Sequence, residues 1–213
     1  MGHKKAVIFD FDGTIANSID LVLDIVNINA THHGYKQIHR SEFPRLRKLG
    51  YRAIMKEKGI KFRQLPGLVL QFRDDMKKRI GEIEPYDDMK AQLEMLINDG
   101  CIVGILTSNQ ADLVDEFLHE HSFPKMDFIV SEKTLFGKDR ALKKIMKAHQ
   151  LTRDNTIYVG DEPRDVTASH KAGLHVVGVS WGFAGREGFE HAQPDVLIDK
   201  PSELNKTIRS LFE

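Results

Sequence analysis

Six short apolar runs, separated by stretches with helical spacing, constrain the fold of this 213-residue chain more than any other feature. The runs cover residues 6–9, 102–106, 128–130, 156–159, 175–179 and 196–198. Most are continuously apolar rather than alternating, which is typical of strands that are covered on both faces in a parallel sheet. Amphipathic stretches separate them, such as residues 86–98, which stop before Gly100, and residues 163–172, which end at Gly173. Strand alternating with helix predicts a doubly wound α/β parallel sheet.

One interval lacks this alternation. Between residues 16 and 83 no convincing strand pattern occurs, and the periodicity instead predicts helices over 19–33, 41–49, 51–58 and 68–80. We therefore predict an α/β core of residues 1–15 and 84–213, interrupted directly after the first strand by a small all-helical cap of residues 16–83.

The charge distribution is uneven, although the 31 basic and 31 acidic side chains balance overall. Residues 36–80 hold 14 Lys and Arg residues against four acids, a net charge of +10. This excess indicates an anionic partner for the cap, and a solvated lysine-rich helix surface explains it equally well. Few aromatic side chains accompany the positive charge, so we expect no nucleic-acid partner.

The single cysteine, Cys101, excludes an intrachain disulfide and a cysteine-based zinc site, and its apolar neighbours predict a core position. The first apolar run is too short for a signal peptide, which needs roughly 7–15 apolar residues. No run approaches the roughly 18 apolar residues of a membrane helix. We expect a cytoplasmic chain with no membrane partner.

Polar residues follow four of the predicted strands, where an open parallel sheet binds its ligands. These segments are Asp10-Phe11-Asp12-Gly13-Thr14, Thr107-Ser108-Asn109, Phe136-Gly137-Lys138 and Gly160-Asp161-Glu162-Pro163-Arg164-Asp165. Carboxylates that converge from the first and fourth strands would repel one another unless a hard divalent cation lay between them. Asp10, Asp161 and the backbone carbonyl of Asp12 would suit Mg²⁺.

The same segments supply groups for phosphate chemistry. Lys138 and the hydroxyls of Thr107 and Ser108 offer positive charge and donors for phosphate oxygens. Asp10 and Asp12 lie two residues apart around a tight turn, so one carboxylate can attack while the other exchanges a proton with the leaving oxygen.

The order and spacing of these motifs match a known superfamily. Through Phe9-Asp10-Phe11-Asp12-Gly13-Thr14, Thr107-Ser108-Asn109, Lys138 and Gly160-Asp161-x-x-x-Asp165, the chain resembles the haloacid dehalogenase superfamily, and within it the helical-cap phosphatases similar to phosphoglycolate phosphatase. The insert also falls where that family places its cap.

The resemblance implies a role for each motif. Asp10 is expected to be the nucleophile that becomes an aspartyl phosphate, and Asp12 the general acid and base. Thr107 or Ser108, with Asn109, would bind phosphoryl oxygens. Lys138 would neutralise the phosphate, with Lys133 as the alternative lysine.

It further implies a magnesium site and a specificity region. The expected metal residues are Asp10, Asp12, Asp161 and Asp165. In the cap, Arg52 is the first candidate for contacting the leaving group, with Arg45 and Arg47 as further candidates. Trp181 and Phe183 are expected to pack rather than to bind substrate.

The sequence therefore predicts a Mg²⁺-dependent phosphatase, monomeric or homodimeric, that acts on a small phosphorylated molecule such as phosphoglycolate or a sugar phosphate. Two alternatives remain open, namely a sugar phosphomutase that uses the same aspartyl phosphate and a receiver-like phospho-aspartate switch.

Overall fold

The computed structural model describes residues 4–49, 51–132 and 137–213. Within them, six strands form one sheet: β1 (Ala6–Phe9), β2 (Ile102–Thr107), β3 (Phe128–Ser131), β4 (Thr156–Gly160), β5 (His175–Val179) and β6 (Val196–Ile198). The strand order is β3-β2-β1-β4-β5-β6, and every neighbouring pair is parallel. The predicted fold class is confirmed, and each predicted strand is found with its ends within one residue.

Ten α-helices accompany the sheet in the described residues. They are α1 (Ile19–His33), α2 (Phe43–Leu46), α3 (Tyr51–Lys58), α4 (Leu65–Arg79), α5 (Met89–Asn98), α6 (Ala111–Glu120), α7 (Lys138–Ala148), α8 (Pro163–Ala172), α9 (Gly185–Gly188) and α10 (Leu204–Leu211). None of the helices in these ranges combines the length and the apolar character that crossing a bilayer requires.

Both faces of the sheet are buried, which explains the continuous apolar runs. Successive side chains of a strand point to opposite faces. Val7 and Phe9 of β1 enter an apolar cluster that includes residues of α5, α6 and α10, whereas Ala6 and Ile8 enter a second cluster with residues of α7 and α8. The chain is thus built as three layers, helix on sheet on helix.

The position of β1 determines where the polar strand ends meet. This strand lies between β2 and β4, with Phe9 in register with Ile105 and Val159. The chain runs outward to β2 and β3 on one side of β1 and to β4, β5 and β6 on the other. Ligands of open α/β sheets bind at such a switch point, beyond the carboxyl ends of the strands.

The helices α1 to α4 occupy the interval that the sequence assigns to a cap, and we keep the division at residues 16–83 as a proposal. Leu21 and Ile25 of α1 and Met76 of α4 are buried in the same apolar cluster as Val7 and Phe9. The helix predicted over 41–49 is wrong in extent, because a 3₁₀ turn at Arg40–Glu42 precedes the single α turn of α2.

Two further helix starts differ from the prediction. Helix α4 begins at Leu65 rather than residue 68, because Pro66 lies in the first turn, where a proline needs no N–H donor. Helix α5 begins at Met89 rather than residue 86, because Asp88 takes a left-handed conformation with φ 67°. Cys101 is half-buried beside the core.

Candidate active site

Asp10 is the first residue after β1 and is 4% exposed. Its backbone N–H donates to the Val159 carbonyl at 2.8 Å, which holds the carboxyl end of β1 against β4. The side chain accepts two hydrogen bonds, one at Oδ1 from the Phe11 N–H at 2.8 Å and one at Oδ2 from Lys138 Nζ at 2.5 Å. Both oxygens of this buried carboxylate are therefore oriented by donors.

Lys138 links the ends of β1 and β4 from the first turn of α7. Its buried ammonium donates to Asp10, to Asp165 Oδ1 at 2.6 Å and to the Tyr158 hydroxyl at 3.0 Å. Burial alone would lower the pKa of Lys138, but the carboxylates of Asp10 and Asp165 outweigh it and the pKa is raised. The expected lysine is thus charged and fixed in place, while the alternative, Lys133, lies outside the described residues.

Asp161 is the first residue after β4 and is fully buried. It accepts a hydrogen bond from the Thr14 hydroxyl at 3.1 Å and another from the Phe183 N–H at 2.7 Å. Gly13 makes this approach possible, since its φ is +78° and a Cβ there would lie 2.3 Å from Asp161 Oδ2. The glycine of the first motif is required both by the turn and by the neighbouring carboxylate.

Three of the four predicted metal residues form one cluster. Asp10, Asp161 and Asp165 each offer a carboxylate oxygen within 4.8 Å of the others, and all three are buried. Burial, together with the charges of the other carboxylates, raises the pKa of Asp10 and raises that of Asp161 well above its usual range. Ionised, the cluster and Lys138 together carry a net charge of −2, which one divalent cation would neutralise. Carboxylate oxygens are ligands that Mg²⁺ prefers, so these residues fit that ion.

The carboxyl group of Asp12 does not belong to this cluster. Its Oδ1 is buried and has no hydrogen-bond partner among the described residues. Burial, and after it the charge of Asp10, raises the pKa of Asp12 to about 6, although the nearby Ser18 hydroxyl opposes the shift. A carboxyl group with that pKa can both give up and accept a proton near neutral pH.

The polar residues at the carboxyl end of β2 divide into two roles. The Thr107 hydroxyl accepts a hydrogen bond from the Asn109 N–H at 2.9 Å and so stabilises the turn, and the Asn109 carbonyl accepts one from the Ser131 hydroxyl at 2.6 Å. Ser108 lies in the lining of the cavity described below, and Thr107 does not. The sequence left the choice between the two hydroxyls open, and this arrangement favours Ser108 for contact with a ligand.

Three polar residues of this region received no role from the sequence. Tyr158 lies inside β4, where it counted as part of an apolar run, and its hydroxyl meets Lys138. Arg164 donates through Nε to Glu162. Burial raises the pKa of Glu162 to about 7 despite the positive charge of Arg164. Glu162 and Arg164 belong to the fourth motif, and their position just beyond a strand end was the sequence signal that could have marked them as site residues.

A cavity of about 390 Å³ lies between the sheet and the helices α1 to α4. Asp12, Ser108, Glu162, Arg164 and Phe183 line the side formed by the sheet and its loops. The opposite side consists of Arg47 and an apolar wall, defined here as Val22, Ile38, Phe43, Leu46, Leu49, Ile54 and Phe72.

Of the three arginines considered from the sequence, only Arg47 reaches this cavity. It donates through Nη2 to the Gly182 carbonyl at 3.3 Å. Arg45 is engaged by Glu57 on the surface. Arg52 is exposed and is not part of the cavity lining. A substrate contact by Arg52 therefore has no support in this arrangement and stays a prediction.

Comparison with known proteins places this site in a family. The family model described as haloacid dehalogenase-like hydrolase matches residues 7–179. The chain therefore belongs to the haloacid dehalogenase-like hydrolases.

The more specific likeness is to phosphatases. The chain is 30% identical over 209 residues to the phosphoglycolate phosphatase of Synechococcus elongatus, covering 98% of this chain and 99% of that protein. It is 24% identical over 205 residues to the pyrophosphatase PpaX of Bacillus mycoides, covering 94% of each. The crystal structure of a predicted phosphatase from Clostridium acetobutylicum matches with a TM-score of 0.83 at 22% identity, over 98% of this chain and 100% of that one, and supports the fold. The predicted enzyme class, a phosphatase of this hydrolase family, is confirmed.

Proposed function

We propose that this protein is a Mg²⁺-dependent phosphatase that hydrolyses a small phosphate monoester through an aspartyl phosphate on Asp10. The observation that carries the proposal is the position of Asp10, a buried carboxylate held by Lys138 within an acidic cluster. Two residues away lies Asp12, whose buried Oδ1 has no hydrogen-bond partner among the described residues.

In the first step, a carboxylate oxygen of Asp10 attacks the phosphorus atom of the ester. An O–P bond to Asp10 forms while the bond from phosphorus to the leaving oxygen breaks. Asp12 gives its proton to that oxygen, so the leaving group departs as a neutral alcohol. Lys138 lies 2.5 Å from Asp10 and supplies positive charge beside the phosphoryl group.

In the second step, Asp12 acts as a base. It takes a proton from a water molecule, whose oxygen attacks the phosphorus atom and breaks the bond to Asp10. Inorganic phosphate and the free Asp10 carboxylate result. The raised pKa of Asp12, about 6, suits a group that must give and take a proton in turn.

Asp10, Asp161 and Asp165, with the backbone carbonyl of Asp12, would hold the Mg²⁺ ion. The ion would supply positive charge for the phosphoryl oxygens and offset the repulsion among the carboxylates. The relatives named above support a phosphate-containing substrate, and a cavity of about 390 Å³ suits a small one.

The test is phosphate release from 4-nitrophenyl phosphate by the wild type and by Asp10→Asn, each with Mg²⁺ and with EDTA. We expect turnover only from the wild type with Mg²⁺. Asp99→Asn, which changes an exposed carboxylate paired with Arg209, is the matched control and should behave as the wild type. Turnover by Asp10→Asn at the wild-type rate, or full activity in EDTA, would contradict the proposal.

Two outcomes would point to the alternative functions. Transfer of the phosphoryl group between positions of a sugar phosphate, dependent on a bisphosphate activator, would indicate a mutase. An aspartyl phosphate that lasts for minutes without release of phosphate would indicate a switch. A phosphatase should lose its phosphoryl group to water within seconds.

A further inference from the structure

The cavity above Asp12 has an unusual combination of surfaces for a site that would take a hydroxylated sugar. Seven apolar side chains form the wall opposite the catalytic residues. Hydroxyl groups of a bound sugar would face this wall without hydrogen-bond partners, which costs roughly ten-fold or more in affinity for each buried group. The wall favours a leaving group with an apolar body.

One charged group interrupts the apolar side of the cavity. Arg47 points from the end of α2 across to the segment after β5. Its guanidinium lies so close to Gly185, the first residue of α9, that a Cβ there would be 2.4 Å from Nη1. Its hydrogen bond to the Gly182 carbonyl is long, and its Nε is buried without a partner in the described part of the chain.

Arg47 also has no acidic partner among the residues that the structure describes, unlike its neighbours in the helical segment. Arg40 pairs with Asp20, Arg45 with Glu57, and Lys58 with Glu42. On the facing side of the cavity, Arg164 is already engaged by Glu162. Arg47 is therefore the cation of this cavity whose charge a bound anion could balance.

We propose that the leaving group of the substrate is an organic acid with an apolar body, whose carboxylate binds Arg47 while its carbon skeleton packs on the apolar wall. This inference rests on the proposed phosphatase function and specifies the substrate class. A carboxylate is the natural counterpart, because a guanidinium donates two parallel hydrogen bonds to it.

The cavity also indicates the size class of this substrate. A volume of about 390 Å³ lies in the range of small-molecule sites, so the ligand is a small molecule rather than a polymer. Each additional methylene group that packs on the wall should raise affinity by about four-fold until the cavity is full.

The test is a cycle of enzyme variants against matched aryl phosphates, with kcat and KM measured separately in saturating Mg²⁺. The substrates are 4-ethylphenyl phosphate and the 3- and 4-(carboxymethyl)phenyl phosphates, which share an apolar ring and differ in the carboxylate. The enzymes are the wild type, Arg47→Gln, Arg47→Lys and Arg40→Gln, the last as a control whose arginine is exposed on the same segment.

We expect the wild type to have a lower KM for at least one carboxylated ester than for the ethyl ester. Arg47→Gln should lose about 10- to 100-fold in kcat/KM on that ester, and a clearly smaller factor on the ethyl ester, which has no carboxylate for Arg47 to bind. Arg47→Lys should recover part of the loss, and Arg40→Gln should match the wild type. Glucose 6-phosphate should show a KM at least ten-fold above that of the preferred ester.

Three outcomes would overturn the inference. These are that the wild type does not distinguish carboxylated from ethyl esters, that glucose 6-phosphate has the lower KM, or that Arg47→Gln slows all esters equally, as a purely structural role would. The wild-type comparison stands even if the Arg47 variants fail to fold. If the wild type hydrolyses none of the esters, the proposed function fails; if it hydrolyses them without these differences, only the present inference fails.

Discussion

Replacing Asp161 with Asn should stabilise the metal-free protein and at the same time remove its response to Mg²⁺. Asp161 is fully buried, and its carboxylate shares a 4.8 Å cluster with Asp10 and Asp165. Two unit charges at that separation repel by about 3.5 kcal/mol at an effective dielectric constant of about 20. Lys138 offsets part of this repulsion, so we expect Asp161→Asn to raise the free energy of unfolding in EDTA by about 1–3 kcal/mol.

The pH dependence of stability provides an independent check on the direction of this effect. Because the pKa of Asp161 is raised above 3.8 in the folded protein, the folded state binds more protons than the unfolded state above that pH. The stability of the metal-free wild type should therefore fall as pH rises from about 4 towards the raised pKa. Asp161→Asn should reduce this slope.

The Mg²⁺ response has a calculable size. An ion present at 100 times its dissociation constant stabilises the folded protein by about 2.7 kcal/mol. For a chain of this length each kcal/mol corresponds to about 2–4 °C in Tm, so the wild type should gain roughly 5–11 °C. Asp161→Asn should gain almost nothing, whereas the surface control Asp99→Asn should respond as the wild type does.

Thermal unfolding in EDTA and in a Mg²⁺ series measures both effects. The reasoning would be refuted if Asp161→Asn kept the wild-type shift with Mg²⁺. It would also be refuted if the variant were less stable than the wild type in EDTA, since repulsion among the carboxylates would then not dominate at this site.

Three further substitutions test other parts of the site. Lys138→Met leaves the carboxylates of Asp10 and Asp165 without their ammonium and should lower the free energy of unfolding in EDTA by about 3–5 kcal/mol, measured with urea; an unchanged midpoint would contradict this. Gly13→Ala should cost at least about 1–2 kcal/mol through its left-handed φ alone, and should weaken Mg²⁺ binding in a titration by displacing Asp161. Asp12→Ala should reduce kcat by about 10²–10⁴-fold and yet keep the Tm shift with Mg²⁺, because its carboxyl group lies outside the metal cluster.

The fold was predictable because the sheet is buried on both faces. Each strand is then a continuous apolar run, and parallel strands are usually joined by helices. The order of strands and helices along the chain could therefore be predicted from the sequence without knowledge of any tertiary contact. Helix ends were less predictable. The start of α5 depends on the left-handed backbone of Asp88, for which the sequence gives only a weak signal.

The candidate site was predictable to the extent that its residues follow strand ends. Asp10, Asp161 and Lys138 fulfil this condition, and the structure brings them together as expected. Tyr158 does not, since it belongs to the strand itself. Tyr158 lies on the face of the sheet that packs against α7 and α8, and its hydroxyl therefore meets Lys138 at the start of α7.

Candidate residues for contact with the leaving group could not be assigned in this way. Arg47 and Arg52 both belong to a basic, helical stretch. This stretch has no strand end that would mark one of them as a site residue. What separates them is the short α2, a single turn whose end directs Arg47 across to Gly182 and Gly185 in the segment after β5, while Arg52 stays exposed on α3. The glycines of that segment permit the approach. If Arg47 binds the leaving group as we propose, the specificity of the cavity depends on this pairing between the helical segment and the residues after β5, and variation in either partner should change the preferred leaving group.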